Sequence, residues 1–101
     1  MLRLMIVDDE QIIREALSSM IDYTSLGYEV IATAKNGMEA YDRIRDDYPD
    51  VVITDIKMPI LNGLELIERA SRIDSRITFI LLSGYGEFEY AKQAMKYGVR
   101  Y

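Results

Sequence analysis

The sequence predicts an α/β fold built on a doubly wound parallel sheet, and three observations carry that expectation. Short apolar runs rich in branched residues alternate strictly with segments of helical spacing, and the alternation repeats four times. The strand-like runs are apolar almost throughout, which is how a strand covered on both faces reads. The chain has 101 residues, 50% of them apolar, enough for one modest core and therefore for one domain.

The first run, Leu2–Val7, stops at Asp8-Asp9-Glu10 and reads as a buried strand feeding a helix. In that helix Ile12, Ile13, Ala16, Leu17, Met20 and Ile21 recur at helical spacing, with Arg14, Glu15, Ser18, Ser19 and Asp22 opposite. Gly27 punctuates the chain before a second strand, Tyr28–Ala34. Asn36-Gly37-Met38-Glu39 then offers an N-cap with a carboxylate three residues later, opening a helix to about Asp47. Pro49 and Asp50 mark a turn, and the run Val51-Val52-Ile53-Thr54 ends at Asp55. A loop through Met58-Pro59-Ile60-Leu61 leads to Asn62-Gly63 and a third helix carrying Leu64, Ile67, Ala70 and Ile73. Residues 77–82 read as the fourth strand, which ends at Ser83-Gly84-Tyr85-Gly86 and gives way to a helix over about 87–97 that Gly98 stops. A further strand starts at Val99-Arg100-Tyr101, so the whole of 1–101 reads as one domain cut short at its C-terminal side. The unpaired edge and uncovered sheet face left behind predict lowered stability or self-association, a homodimer included.

Composition narrows the function. With 17 acidic and 12 basic side chains the net charge is -5, which argues against direct contact of this segment with nucleic acid or an anionic membrane. The chain has no cysteine and no histidine. Thiolate chemistry, disulfides, an imidazole base and a phosphohistidine relay within the chain are thereby excluded. No apolar run approaches a membrane span and no signal peptide is evident, so a cytoplasmic location is expected.

In an open α/β sheet, ligands bind outside the carboxyl ends of the strands, where this sequence puts Asp8, Asp9, Asp55 and Ser83. A doubly wound order sets the first and third strands side by side and brings Asp55 opposite the Asp8-Asp9 pair. Two carboxylates roughly 4 Å apart repel by about 4 kcal/mol at an effective dielectric near 20, which a divalent cation reverses. Oxygen ligands without imidazole or thiolate favour Mg2+. A carboxylate beside Mg2+ is a nucleophile toward an activated phosphoryl group, a role that fits Asp55. Ser83 can hydrogen-bond a phosphoryl oxygen, and Gly84 leaves backbone N–H groups open to it. Taken singly these residues have ordinary readings: Asp9 as a helix cap, Asp8 as a solvated turn residue, Ser83 as a turn hydroxyl, Lys57 as a surface charge, Gly63 as a backbone device, and Tyr41, Tyr48, Tyr90 and Met95 as packing.

Jointly, Ile6-Val7-Asp8-Asp9-Glu10, Thr54-Asp55-Ile56-Lys57-Met58-Pro59, Asn62-Gly63 and Leu82-Ser83-Gly84 resemble the receiver domains of bacterial response regulators over essentially the whole chain. The resemblance implies a flavodoxin-like fold with strand order 2-1-3-4(-5), its fifth strand and fifth helix missing. It implies Asp55 as phosphoacceptor, Asp8, Asp9 and Asp55 with the main-chain carbonyl of Lys57 as Mg2+ ligands, and Ser83 as the switch residue. The family's lysine in a Lys-Pro dipeptide, and its switch aromatic, would lie beyond Tyr101. The run from Ser83 to Ala91, with Ala94-Met95 and Gly98-Val99, is similar to receivers found ahead of AraC-family DNA-binding domains. Implied partners are a sensor histidine kinase and a covalently linked DNA-binding output domain. Two other classes compete. A Mg2+-dependent phosphohydrolase with an aspartate nucleophile would place a second acid two residues after the first strand's aspartate, where this chain has an adjacent pair. A purely structural interaction domain would no longer take phosphate.

Overall fold

Side chains alternate across a strand, so each strand of this chain feeds two packing faces at once. In the computed structural model, which describes residues 1–82, β1 (Leu2–Val7) has the four consecutive residues Leu4, Met5, Ile6 and Val7 buried. It pairs in parallel with β2 (Tyr28–Ala34) and with β3 (Val51–Asp55), and β3 pairs in parallel with β4 (Thr78–Leu82). The order β2-β1-β3-β4 is that of a doubly wound sheet, as expected. Because parallel crossovers are right-handed, stepping outward from β1 to β2 and then back past β1 to β3 places the connecting helices on opposite faces.

One face is closed by α2 (Gly37–Asp47) and α3 (Gly63–Ile73): Met5, Val7, Val52, Phe79 and Leu81 meet Ala40 and Ile44 of α2 and Leu66, Ile67 and Ala70 of α3. The other face carries α1 (Gln11–Ser19), where Leu4, Ile6, Val51 and Ile53 pack with Tyr23 and, from α1, Leu17. Among the described residues this second face is only partly covered. Ile80 and Leu82 of β4 stay part-exposed, and Leu4, Tyr23, Leu26, Tyr28, Val51, Ile53 and Ile80 line an apolar depression.

Several elements depart from the sequence reading for local reasons. The first helix ends at Ser19, short of Met20 and Ile21, and none of its residues is fully buried; Ile12 is 78% and Met20 81% exposed. The Tyr23 hydroxyl donates to the Leu17 carbonyl (2.7 Å), satisfying one of the orphan acceptors of the helix end, and a short 3-10 turn at Thr24–Leu26 runs into Gly27 at φ +88°. In α3 the buried stripe is Gly63, Leu66, Ile67 and Ala70, the i, i+3, i+4, i+7 set, with Leu64 and Ile73 at its margins. Tyr48 is not a packing residue. It is the left-handed C-cap of α2 at φ +49° and is largely exposed, whereas Tyr41 is half-buried with Arg45 stacked 5.0 Å from its ring centre. The Pro49-Asp50 turn also stitches strand starts together: Asp50 N–H donates to Arg3 O (2.8 Å), Arg3 N–H to Asp50 Oδ2 (2.8 Å) and Thr78 N–H to Asp50 O (3.0 Å).

Both expected N-caps form. Asn36 accepts from Glu39 N–H (2.8 Å), and Asn62 and Glu65 make a reciprocal capping box. The glycine after each cap matters for space rather than for backbone freedom, since neither has a positive φ. A Cβ on Gly37 would collide with the Leu61 carbonyl and side chain, and one on Gly63 with the Asp55 carbonyl and Ile56 Cα. Ser83, Gly84, the helix over about 87–97 with Tyr90 and Met95, and the strand start at 99–101 lie outside the described residues. No helix among the described residues is long and apolar enough to cross a membrane.

Alanine is the better helix former, so Gly37→Ala would ordinarily stabilise the chain. Here the collision with the Leu61 backbone reverses the sign, and a loss of about 1–3 kcal/mol is expected in urea unfolding. An unchanged or raised midpoint would contradict the close packing of α2 on the 56–62 loop.

Candidate functional site

The register of β1 against β3 builds the site. Val7 pairs with Thr54, so the next step along both strands sets Asp8 beside Asp55. Oxygens of Asp8, Asp9 and Asp55 all lie within 4.8 Å of one another, with Asp8 buried, Asp55 half-buried and Asp9 exposed. The convergence expected of the three carboxylates is therefore present.

Asp8 and Asp55 are each held by a backbone N–H close in sequence. Asp8 N–H continues the sheet by donating to Ala34 O (3.1 Å), while Asp8 Oδ1 accepts from Glu10 N–H (2.9 Å) in an Asx turn. Glu10, not Asp9, is the N-cap of α1 and its side chain makes no cap bond. Neither modest reading of the pair survives, since Asp9 does not cap and Asp8 is only 4% exposed. One turn into α1, Arg14 Nη1 donates to the Asp8 carbonyl (2.7 Å). Nothing in the sequence marks this contact, because Arg14 sits on the polar side of the helical pattern.

Asp55 Oδ1 accepts from Ile56 N–H (2.8 Å), and the buried Thr54 hydroxyl donates to the Asp55 carbonyl (3.0 Å). Gly63 N–H donates to Ile56 O (2.7 Å), and the missing side chain at Gly63 lets α3 close onto Asp55. Ile56, Met58 and Leu61 are buried and anchor the loop, while Ile60 is 78% exposed and adopts φ +73°, a left-handed conformation that a β-branched residue rarely takes. Lys57 is exposed, and Asp9, Lys57, Met58, Pro59 and Asn62 line one open depression at the edge of the cluster.

Burial pushes the Asp8 carboxyl above its ordinary value; the neighbouring charge of Asp9 adds to the rise, while the Glu10 N–H bond and Arg14 oppose it. Proximity of like charges without an imidazole or thiolate in the chain suits a hard, oxygen-seeking divalent cation, and the donor set fits Mg2+. Ser83 and Gly84 lie outside the described residues, although Ser83 directly follows Leu82, the residue paired with Asp55.

Residues 4–101 match the family model described as response regulator receiver domain. Over 101 residues the chain is 50% identical to an uncharacterized transcriptional regulatory protein, YesN, of Bacillus subtilis, covering all of this chain and 27% of that one. The chain spans between about a quarter and two fifths of the length of such curated relatives. A two component transcriptional regulator AraC from Clostridium phytofermentans superposes with a TM-score of 0.91 at 34% identity, over 100% of this chain and 79% of that one. The CheX-CheY-BeF3-Mg+2 complex from Borrelia burgdorferi gives 0.85 at 28% identity, over 97% and 73%.

The burial of Asp8, reinforced by the charge of Asp9, sets a sign for stability. A carboxyl raised by folding is bound to its proton more tightly in the native than in the unfolded state, so metal-free stability falls as pH rises from the ordinary aspartate value through the raised Asp8 value. Asp8→Asn, which keeps an acceptor for Glu10 N–H, is expected to raise the metal-free stability at neutral pH by roughly 0.5–2 kcal/mol, each kcal/mol moving Tm by roughly 4–8 °C. Thermal melts in EDTA across pH 4 to 8 (about the carboxylate range and above) check this. A lower Tm for Asp8→Asn throughout would mean that the cluster is not electrostatically frustrated.

Proposed function

The chain belongs to the response regulator receiver domain family, and from that premise we propose that residues 1–101 act as one receiver unit in which Asp55 accepts a phosphoryl group. The observation that carries this reading is the meeting of Asp8, Asp9 and Asp55 at the carboxyl ends of the neighbouring strands β1 and β3. In it, Asp8, Asp9, Asp55 and the main-chain carbonyl of Lys57 hold Mg2+. When bound, the cation offsets the negative charge that carboxylates and phosphoryl oxygens bring together.

The chain's own groups do the rest. Ile56 N–H holds Asp55 Oδ1 and so fixes the carboxylate rotamer. A carboxylate oxygen of Asp55 forms the new P–O bond as the P–N bond of a phosphohistidine breaks; the ring takes the electron pair of that bond and leaves as neutral imidazole because its other nitrogen carries a proton. In this reading the Ser83 hydroxyl is a donor to a phosphoryl oxygen and reorients when the group arrives, and Gly84, with no side chain, would leave a backbone N–H open to the same oxygen. With no histidine in the chain, the donor is a phosphohistidine on another protein, a sensor histidine kinase, or a small acyl or amido phosphate. The related CheX-CheY complex contains BeF3 and Mg2+, which supports a divalent cation at the acidic cluster of this chain. Kinship with transcriptional regulators much longer than this chain supports a covalently linked DNA-binding output domain of the AraC class and a cytoplasmic setting. The module is a regulatory phosphoacceptor with slow self-dephosphorylation rather than a turnover enzyme, and the net charge of -5 keeps the segment itself off nucleic acid and membrane.

Intact mass after incubation with Mg2+ and acetyl phosphate or phosphoramidate tests the reading. One added phosphoryl group is expected on the parent and none on Asp55→Ala. Labelling that appears only when the chain is continued past residue 101 would locate a required group, the expected lysine, in that continuation. No labelling of either length under conditions where Mg2+ binds would refute the phosphoacceptor assignment and leave an interaction module.

A further inference from the structure

We propose that Arg14 is a positioning residue for the acidic pair, setting the spacing of Asp8 and Asp9 for a divalent cation through its grip on the carbonyl that joins them. The inference rests on the Mg2+ reading above and adds a residue to it.

The bonds of the turn fall into two groups. Asp8 N–H to Ala34 O and Asp8 Oδ1 to Glu10 N–H fix where Asp8 sits and which way its carboxylate leans. Neither bond ends on the peptide that links Asp8 to Asp9, so they restrict its plane only from its flanks. The 2.7 Å bond from Arg14 Nη1 ends on the oxygen of that peptide. With both flanks pinned, rotation of this peptide about its Cα–Cα axis would leave the Asp9 Cα in place but re-aim the side chain of Asp9, the exposed member of the cluster, relative to Asp8 and Asp55. Arg14 reaches the carbonyl because it stands one turn along α1, its own N–H donating to Glu10 O (3.0 Å), and a helical side chain leans toward the N-terminus.

The placement is not that of a solvated surface charge. Arg14 is half-buried in a chain with 17 acidic residues, yet among the described residues it forms no salt bridge and gives its guanidinium to a main-chain carbonyl. A planar guanidinium suits this task because its donors are fixed relative to one another. Its charge, however, works against a nearby cation. Geometry and charge therefore predict opposite effects of removing it, and the sign of the effect distinguishes them.

The experiment is calorimetric titration of the purified protein with Mg2+ for the parent, Arg14→Met, Arg14→Lys and Asp9→Asn, each first checked for folding by circular dichroism and thermal melting. Phosphoramidate labelling rates are measured at limiting and at saturating Mg2+. Loss of an outer-shell partner typically weakens metal affinity by about tenfold or more. Arg14→Met is expected to bind Mg2+ about tenfold more weakly although it makes the site more negative, with labelling slowed at limiting and restored at saturating Mg2+. Arg14→Lys, which keeps the charge and one donor, is expected to recover part of the loss. Equal or tighter Mg2+ binding by Arg14→Met overturns the proposal, as does a lowered Tm with an unchanged dissociation constant, which would make Arg14 only an anchor of α1. If the parent binds no Mg2+ and Asp9→Asn behaves the same, the metal reading itself has failed and the role of Arg14 falls with it.

Discussion

Everything at the site follows from bringing like charges together at one edge of the sheet. The reversal of winding direction between β1 and β3 sets the strand carrying Asp8 directly against the strand carrying Asp55, and the β1 turn adds Asp9. Water would keep such groups apart. Here the buried strand residues Leu4 to Val7 and Val51 to Thr54 hold the backbone still, so Asp8 and Asp55 stay side by side as long as the two strands remain paired. The hydrophobic effect thus supplies the work that the electrostatics oppose; the raised affinity of Asp8 for its proton records chiefly the burial of its carboxylate, with the charge of Asp9 adding to it.

The two halves of the site are held by different means. On the β1 side, polar bonds do the positioning: an Asx turn from Asp8 to Glu10 and a guanidinium on the Asp8 carbonyl. On the β3 side, packing does more of it. Buried Ile56, Met58 and Leu61 anchor the loop in the core, α2 presses on Leu61 at Gly37, and α3 closes against Asp55 at Gly63. Asp55 thus sits at the end of its strand with the N-terminus of α3 closed against it, while the caps Asn36 of α2 and Asn62 of α3 are both satisfied within their own first turns.

Much of this was legible in the sequence because strand ends and helix caps are local signals. Leu2–Val7 and Tyr28–Ala34 have the bounds that their apolar runs suggest, and both asparagine caps form where the spacing to a glutamate puts them. Asp8, Asp9 and Asp55 could be brought together on paper because a doubly wound order needs only the count of strands. What was not legible depends on contacts between distant segments. The stop of α1 at Ser19 involves the Tyr23 hydroxyl, the burial of Leu66 depends on where α3 rests on the sheet, and the value of Gly63 lies in a carbonyl eight residues earlier. Arg14 reads as one more polar residue on a helix until its carbonyl partner is seen.

The backbone at Ile60 places a further condition on this loop. A left-handed conformation costs an L-residue roughly 1–2 kcal/mol, and here it falls on an exposed β-branched side chain that gains no burial in return. The shape of residues 58–62 is therefore not the loop's own preference. It is imposed at both ends, by Leu61 seated in the core and by Gly63 closed against Asp55. Loosening either end, at Leu61 or at Gly63, would remove the constraint that holds Ile60 in that conformation on the loop that follows Asp55.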